Sequence, residues 1–498
     1  MYISTRDNYG TVSASTAIKL GMVPAGGLFV TEKISVLSPT ELMSLQGKSY
    51  QELAAKILSL YLDDFTKEEI ESSVQRAYNG RQFGHNEIAP LQKLDENTYI
   101  LELWHGPTAA FKDMALQIMP SLLALSVKKA EAKKEVVILV ATSGDTGKAA
   151  LEGFKNVPGI KIIVFYPYQG VSKIQELQMS TTDGNNTYVV AVKGNFDDCQ
   201  YAVKEIFGDR SYNTELENKG YELSSANSIN WGRLLPQIVY YFHAYLNLLK
   251  HGEIKDGEKI NFVIPTGNFG NILAGWYAYK MGLPIHKLVC ASNENKVLTD
   301  FFNTGVYDKN RMFMQTSSPS MDILVSSNLE RFLYEMVGRD GTRISGWMND
   351  LNTKGVFRID NKTKQDINLV LAADFADEEE TLATIKAVFT RTGYTLDTHT
   401  AVGAAVYQKY RDSTDDLTKT VIVATASPFK FNSSVLRALR GEEAVRGKDE
   451  CLILEELSAL TKLPIHRGLR DLDKRPILHT RLCEKSGIKK AIEDILQI

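Results

Sequence analysis

The sequence has 498 residues, which at roughly 100 to 200 residues per domain predicts several domains and enough chain for a large hydrophobic core. Its 57 Lys and Arg residues nearly balance its 60 Asp and Glu residues, giving a formal net charge of -3, so a protein built mainly to bind nucleic acid is excluded. With 44% hydrophobic and 23% charged residues, the composition is that of a folded globular protein and excludes a largely disordered chain.

Cysteine use and the start of the chain bear on location. The four cysteines form neither a CxxC pair nor a disulfide framework, which predicts reduced thiols in a cytoplasmic protein. The first 30 residues lack the pattern of a signal peptide, so no export is expected. One uncharged window, 261–279, contains Pro265 and three glycines, which predicts a strand, a loop and a helix start instead of a membrane span. The eight histidines show no ligand spacing, so no metal site is predicted.

Residues 1–85 are predicted to form a mostly helical N-terminal segment. Within it, the stretch 38–62 carries Leu, Ile and Tyr at helical spacing. The basic run Lys128–Lys134 is interpreted as the solvated end of a helix, where cations favour the helix dipole, and not as a nucleic-acid site.

A central region, 86–435, is predicted to be an α/β domain. It contains short apolar runs rich in Val and Ile, each followed by Gly or Asn and then by a helical pattern, which indicates parallel strands covered on both faces. These runs are 136–141, 161–166, 187–192, 260–265, 287–292 and 420–426. Residues 305–370 lack a clean period and are predicted to be an irregular insertion. Residues 436–498 are predicted to form a helical C-terminal tail.

Ligands of parallel sheets bind where strands end and helices begin, and this directs attention to three places: the loops after 260–265 and after 136–141, and Thr425-Ala426-Ser427 at the end of the run 420–426. Gly267-Asn268-Phe269-Gly270-Asn271 joins a buried strand to a helix, and its N–H groups are suited to an anion such as phosphate. The same glycines are equally consistent with a tight turn of purely structural importance. The loop fits neither GxxxxGK[ST] nor GxGxxG, so a P-loop hydrolase is not indicated.

The second loop, Ser143-Gly144-Asp145-Thr146, offers hydroxyls and backbone donors to another anion, for instance a carboxylate. Asp145 is favoured as a helix-capping residue over a catalytic one, because a carboxylate in the first turn competes with an anionic ligand. Lys112, beside Phe111 at a helix entrance, has by composition alone the features of a solvated cation with a partly buried stem.

Five motifs occurring together and in order resemble those of the threonine synthase family, bacterial and fungal branch. They are HGPTAAFKD (105–113), SGDTG (143–147), NSINWGRLLPQ (227–237), PTGNFGN (265–271) and ATASPFKF (424–431). The resemblance implies a tryptophan-synthase-β-like fold (fold type II) that binds pyridoxal 5′-phosphate in the central region, which would consist of two subdomains. Alanine at 109 and serine at 427 depart from the aromatic and histidine that many relatives carry, which affects the finer substrate contacts.

The resemblance also implies roles for individual residues. Lys112 matches the lysine that binds the cofactor aldehyde covalently, residues 267–271 match the cofactor-phosphate loop, and Thr425 matches the hydroxyl that faces the pyridine nitrogen. Residues 143–146 and Arg233 match groups around the substrate, and Arg233 and Lys430 are candidate cations for the substrate phosphate. A structural ion pair remains the alternative for Arg233.

The implied reaction converts O-phospho-L-homoserine and water to L-threonine and phosphate, with a small molecule as partner and neither nucleic acid nor membrane. Relatives imply a monomer, with a homodimer as the alternative. Other activities on the same scaffold are a threonine or serine dehydratase and a phospho-lyase that releases a 2-oxo acid. The alternative of another class is a non-catalytic cofactor-binding relative, against which the intact motif around Lys112 argues.

Overall fold

The computed structural model describes residues 1–131 and 134–498. Ala132 and Lys133, within the basic run predicted as a helix end, lie outside the described residues. Within the described ranges, no helix combines the length and the apolar composition that crossing a membrane requires. The uncharged window 261–279 is instead divided into a strand, a loop and a helix, as predicted.

The strands of the described residues are numbered in chain order. They are β1 (Tyr2–Ser4), β2 (Phe29–Thr31), β3 (Leu91–Lys93), β4 (Thr98–Glu102), β5 (Glu135–Ala141), β6 (Ile160–Pro167), β7 (Thr187–Lys193), β8 (Tyr221–Ser224), β9 (Ile260–Pro265), β10 (Ile285–Ser292), β11 (Val306–Asp308), β12 (Val356–Arg358), β13 (Leu371–Phe375), β14 (Thr420–Ala424) and β15 (Arg481–Glu484).

The helices are numbered in the same way. They are α1 (Ala14–Leu20), α2 (Pro39–Met43), α3 (Tyr50–Ser59), α4 (Lys67–Ala77), α5 (Asp113–Leu116), α6 (Met119–Lys129), α7 (Asp145–Phe154), α8 (Lys173–Ser180), α9 (Phe196–Gly208), α10 (Arg210–Asn218), α11 (Trp231–Leu234), α12 (Ile238–Lys250), α13 (Gly270–Lys280), α14 (Val297–Thr304), α15 (Leu329–Met336), α16 (Gly341–Thr353), α17 (Asn361–Asn368), α18 (Glu378–Thr392), α19 (Thr398–Thr414), α20 (Asn432–Arg440), α21 (Glu450–Thr461) and α22 (Ile488–Leu496).

Two sheets form the centre of the molecule. The larger has the order β13-β10-β9-β14-β4-β3, parallel except for the β3–β4 pair, and the smaller is fully parallel with the order β15-β7-β6-β5-β8. All six predicted apolar runs are strands of these sheets, which confirms the α/β prediction. Every residue of β9 is buried, as in β14, because helices cover both faces of the larger sheet.

The N-terminal segment contains α1 to α4, as predicted, together with the antiparallel pair β1–β2. Its helices begin at identifiable signals: Ser49 and Glu52 form a capping box at α3, and Thr66 and Glu69 form one at α4. The segment packs on the body through Arg331, whose buried guanidinium donates to the carbonyl oxygen of Phe29 at 2.9 Å.

Two predictions about the rest of the chain need correction. Residues 436–498 are not helical throughout, because β15 adds a fifth strand to the smaller sheet beside β7. Three of its four residues are exposed, so no apolar run marks it in the sequence. The stretch 305–370 is also more regular than predicted, since it contains α15, α16, α17 and the antiparallel pair β11–β12. The boundaries predicted at 85 and 435 stay predictions.

Candidate active site

A cavity of about 1090 Å³ lies at the carboxyl ends of parallel strands from both sheets. Its wall includes residues that follow β5, β9 and β14, the position where α/β proteins bind small molecules. Cavities of this size accommodate a cofactor together with a substrate. Among the residues singled out from the sequence, those that line it are Lys112, Ser143, Thr146, Arg233, the five residues 267–271, and Thr425.

Lys112 is fixed at this cavity by an isolated antiparallel bridge between Ala110 and Ala426, next to the parallel β4–β14 pair. The Phe111 N–H donates to the carbonyl of Thr425 at 2.8 Å, and the Ser427 N–H donates to the carbonyl of Ala109 at 3.0 Å. Ala109 adopts a left-handed conformation with φ of 64°, which turns the chain toward α5. The pairing therefore places Lys112 and Thr425 on the same wall, although 312 residues separate them.

The turn before Lys112 is held by a buried carboxylate. Asp113 accepts hydrogen bonds from the backbone N–H and the hydroxyl of Thr108, both at 2.8 Å. Burial raises the pKa of Asp113 to about 6, partly offset by these two bonds. A Cβ at Gly106 would lie 2.4 Å from the Asp113 Cβ, so glycine is required there. The motif around Lys112 is thus a turn held by the Thr108–Asp113 hydrogen bonds, and it places the lysine side chain at the cavity.

The Lys112 amine has two polar partners. Its Nζ lies 3.0 Å from Oδ2 of Asp145 and 3.0 Å from Oγ of Ser320. Burial lowers the pKa of Lys112, Asp145 opposes this shift, and the nearby cations Lys430 and Arg233 add to the lowering. A lysine with a lowered pKa is more readily the neutral amine that acts as nucleophile or base. The solvated-cation interpretation of Lys112 is therefore wrong.

Asp145 is an electrostatic centre of the site and not a helix cap. Its Oδ1 lies 3.0 Å from Nζ of Lys430 and 2.9 Å from Nε2 of Gln175, while Oδ2 contacts Lys112. Burial alone would raise the pKa of the Asp145 carboxyl, but Lys112 and Lys430 hold it well below its usual range. The capping prediction is wrong because the residue that precedes α7 is Gly144, and the Asp145 side chain turns toward the lysines.

Lys430 also differs from its predicted role. Its side chain is fully buried, and its ammonium donates to the carbonyl of Thr108 at 2.8 Å besides contacting Asp145. It does not belong to the cavity wall, so the structure does not place it where a substrate phosphate would bind. Its position supports the carboxylate that faces Lys112.

The loop 267–271 has the features of an anion site. Phe269, in a left-handed conformation with φ of 62°, precedes α13 without a side-chain cap. Within the described chain, the N–H groups of residues 267–271 have no hydrogen-bond partner, so they remain available to a ligand. A Cβ at Gly267 would lie 2.5 Å from the carbonyl oxygen of Ser320, which explains the need for glycine. Asn271 is fixed by the hydroxyls of Tyr240 and Tyr241 at 2.6 and 2.7 Å.

A second open helix start faces the same cavity. Residue Gly144 precedes α7 with φ of 128° and provides no side-chain cap, and the Thr142 hydroxyl accepts from the N–H groups of Gly144 and Gly147. Ser143 and Thr146 line the cavity. The loop thus presents hydroxyls and backbone donors at a positive helix end.

Arg233 is a buried cation on the cavity wall. Its Nη1 donates to the carbonyl of Ala226 at 2.9 Å and its Nη2 lies 3.4 Å from the Thr146 hydroxyl. Burial lowers its pKa to about 10, and among the described residues no carboxylate pairs with it. The alternative of a structural ion pair is therefore not supported. A buried guanidinium without a counter-ion favours an anionic ligand.

Three further polar residues of the site carry no sequence signal that singled them out. Gln175 contacts Asp145, Ser320 contacts Lys112, and His399 accepts a hydrogen bond from the Ser320 N–H at 3.1 Å through Nε2. They lie 63, 208 and 287 residues from Lys112 along the chain.

Comparison with known proteins identifies the family. A family model described as "Threonine synthase N terminus" matches residues 1–78, "Pyridoxal-phosphate dependent enzyme" matches 84–358, and "Threonine synthase, C-terminal" matches 400–476. The chain belongs to the threonine synthase family. It is similar to threonine synthase of Saccharomyces cerevisiae, at 35% identity over all of this chain and 98% of the relative. It is also similar to human threonine synthase-like 1, at 40% identity over all of this chain and 68% of the relative.

A solved structure supports the assignment at the level of the fold. A crystal structure of PLP-bound threonine synthase from Brucella melitensis superposes with a TM-score of 0.87, at 35% identity, covering 100% of this chain and 98% of that one. The fold is therefore that of the pyridoxal-phosphate enzymes of fold type II, as the motifs implied, and the chain is a pyridoxal-phosphate-dependent lyase of the threonine synthase family.

The residues present fit pyridoxal phosphate. The cofactor requires an amine for its aldehyde, donors for its phosphate and a group beside its ring nitrogen. Lys112 is a buried amine at the cavity, and the N–H groups of 267–271, which have no partner among the described residues, form a cradle that a Cβ at Gly267 would disturb. Thr425 lines the same cavity after β14. Each of the three requirements thus has a candidate among the cavity residues.

Proposed function

We propose that the protein converts O-phospho-L-homoserine and water to L-threonine and phosphate. The observation that carries this proposal is the buried Arg233 guanidinium, which faces the cavity of Lys112 with no carboxylate partner among the described residues. Together with the loop 267–271 it gives the cavity two sites for anions. A cofactor phosphate and a substrate phosphate would account for both.

In this proposal each candidate residue has one task. Residues 267–271 hold the cofactor phosphate, Thr425 faces the pyridine nitrogen, Ser143 and Thr146 bind the substrate carboxylate, and Arg233 binds the substrate phosphate. When bound, pyridoxal phosphate supplies an electron sink that allows protons to leave carbon atoms of the substrate. A threonine hydroxyl at 425, unlike a carboxylate, does not hold a proton firmly on the ring nitrogen.

Lys112 performs the proton transfers. The reaction requires phosphate to leave from Cγ and hydroxide to arrive at Cβ, so protons at Cα and Cβ must be removed and protons returned. Lys112 is the amine of the cavity whose pKa is lowered by burial, and a positioned base of this kind contributes about 10² to 10⁴ in rate. Asp145 accepts a hydrogen bond from the Lys112 amine and thereby orients its nitrogen.

Product analysis tests the proposed function. Purified protein is incubated with O-phospho-L-homoserine, and phosphate and amino acid are measured in parallel. Equal amounts of phosphate and L-threonine are expected. Phosphate accompanied by 2-oxobutyrate would instead establish a phospho-lyase on the same scaffold, and the absence of any phosphate would exclude both. The cytoplasmic location and the monomeric state expected from the sequence stay predictions.

A further inference from the structure

We propose that Ser320 orients the Lys112 amine for proton transfer, and that the buried pair His399–Asp397 holds Ser320 in place for this task. The inference rests on the proposed function, because it assigns a role in the proton transfers that Lys112 performs there. Ser320 lies in a short 3-10 turn, Pro319–Met321, far from the motifs of the sequence.

The Ser320 hydroxyl is placed between the two charged groups of the site. Its Oγ lies 3.0 Å from Nζ of Lys112 and 3.3 Å from Oδ2 of Asp145. A hydroxyl can accept a hydrogen bond from an amine and donate one to a carboxylate at the same time. A lysine amine at the end of a flexible four-carbon stem has no preferred direction by itself. Two fixed partners, one carboxylate and one hydroxyl, define where its lone pair or its proton points.

The backbone of Ser320 is held by a histidine whose tautomer follows from its hydrogen-bond partners. The Ser320 N–H donates to Nε2 of His399 at 3.1 Å, so this nitrogen must carry no proton. The ring proton is thereby assigned to Nδ1, which lies 3.1 Å from Oδ1 of Asp397. Asp397 also accepts from the His399 N–H at 2.9 Å, at the start of α19. The ring packs on Phe431 at 4.6 Å between centroids. The histidine therefore has one orientation and one tautomer.

The segment that carries Ser320 is fixed from two more sides. Its carbonyl packs on Gly267 of the phosphate loop, with no room for a Cβ there. Two residues farther on, the buried Asp322 accepts hydrogen bonds from Asn293 and Asn295 at 2.7 and 3.0 Å, and from the Thr316 hydroxyl at 2.7 Å. A turn held this firmly pre-organises its hydroxyl, which is the condition for positioning a reacting group.

The test compares Ser320→Ala with Ser317→Ala. Ser317 lies in the same segment, but its hydroxyl bonds Glu378 at 2.9 Å and does not reach the site. Loss of a hydrogen bond to a charged group should lower kcat of Ser320→Ala about tenfold or more, with KM and cofactor content close to wild type. Ser317→Ala should be unaffected, and Ser320→Thr, which keeps a hydroxyl, should recover most of kcat. Should Ser320→Ala fold poorly, Ser320→Cys tests the same loss of bonding with nearly the same volume.

A double-mutant cycle separates positioning from general damage. His399→Ala should lower kcat by a similar factor, and the double variant Ser320→Ala/His399→Ala should be hardly slower than either single one, because both remove the same function. A kcat of Ser320→Ala within about threefold of wild type, or full additivity of the two effects, would overturn the proposal.

A second readout does not depend on the overall reaction. In protein stripped of cofactor, the rate at which Lys112 captures added pyridoxal phosphate is followed by absorbance. Ser320→Ala should capture it more slowly, and Ser317→Ala at the wild-type rate. If the wild-type protein made no threonine, the proposed function would fail, but this rate would still decide the role of Ser320: equal rates in all three proteins would refute it.

Discussion

Lys430 and Asp145 form a fully buried ion pair in which Nζ lies 3.0 Å from Oδ1, directly behind the carboxylate oxygen that contacts Lys112. The second cation neutralises a carboxylate that would otherwise be costly to bury. It also adds to the lowering of the pKa of Lys112. The pair thus connects the stability of the site with the chemistry of its lysine.

Removing this cation should destabilise the protein strongly. Lys430→Met leaves Asp145 buried with one cation fewer, and we expect a loss of about 3 kcal/mol in the free energy of unfolding. Urea denaturation followed by circular dichroism measures the change. Lys362→Met is the control, because the Lys362–Asp366 pair is exposed and should contribute nothing measurable. Equal stability of the two variants would contradict the role assigned to Lys430.

Arg233 should determine substrate affinity without affecting the cofactor. Arg233→Gln removes a buried cation from the cavity wall, and we expect KM for O-phosphohomoserine to rise about 100-fold, the range for desolvated charge pairs. The dissociation constant of pyridoxal phosphate should change little. Kinetics and a fluorescence titration of the cofactor give the two values, with Arg343→Gln as a surface control. Parallel weakening of substrate and cofactor would count against separate anion sites.

Gly267 should be intolerant of a single methyl group. In Gly267→Ala the Cβ would lie 2.5 Å from the Ser320 carbonyl oxygen, so the loop 267–271 and the Ser320 turn must separate. Overpacking of this kind costs about 1 to 3 kcal/mol, which should appear as weaker cofactor binding and lower kcat. Gly346→Ala, where the added Cβ meets nothing within 4 Å, is the matched control. Titration with pyridoxal phosphate measures the cofactor affinity of both variants. An unchanged affinity in Gly267→Ala would contradict the assignment of residues 267–271 as the cofactor-phosphate site.

Sequence patterns were sufficient for the features that depend on neighbouring residues. The strands from β5 to β14 that carry apolar runs, the glycine loop after β9 and the helix start after β5 all follow from local composition, because a strand buried on both faces must be apolar. Lys112 is different: composition described it as a surface cation, and only its motif indicated a catalytic role. Its burial depends on the pairing of β4 with β14, whose partner residues lie 322 positions apart in the chain, and no local pattern contains this.

The residues that sequence reasoning missed are those whose partners are distant. Ser320 belongs to a polar segment without a period, and its significance arises from Lys112 and His399, which fold onto it from elsewhere. Lys430 was predicted as a cation for the substrate phosphate, because the sequence could not tell a cation behind Asp145 from one that faces the substrate. β15 escaped prediction because an exposed edge strand needs no apolar alternation.

His243 should make stability depend on pH in the acidic range. Burial lowers its pKa from 6.5 to about 4, although its bond to the Ala89 carbonyl opposes the shift. The unfolded chain therefore binds a proton between these values that the folded one does not, so stability is lost as the pH falls from 6.5 toward 4. This residue alone should contribute about 3 kcal/mol to that loss. His243→Gln should flatten the profile of unfolding free energy between pH 7 and 4; an unchanged slope would contradict the assignment.

The central claim is that one amine, Lys112, binds the pyridoxal phosphate aldehyde covalently. Borohydride reduction of the holoenzyme, followed by digestion and mass spectrometry, tests it directly. We predict that the cofactor mass is found on the peptide containing Lys112, and that Lys112→Ala yields no labelled peptide and no threonine. A label on any other lysine, or turnover retained by Lys112→Ala, would contradict the account.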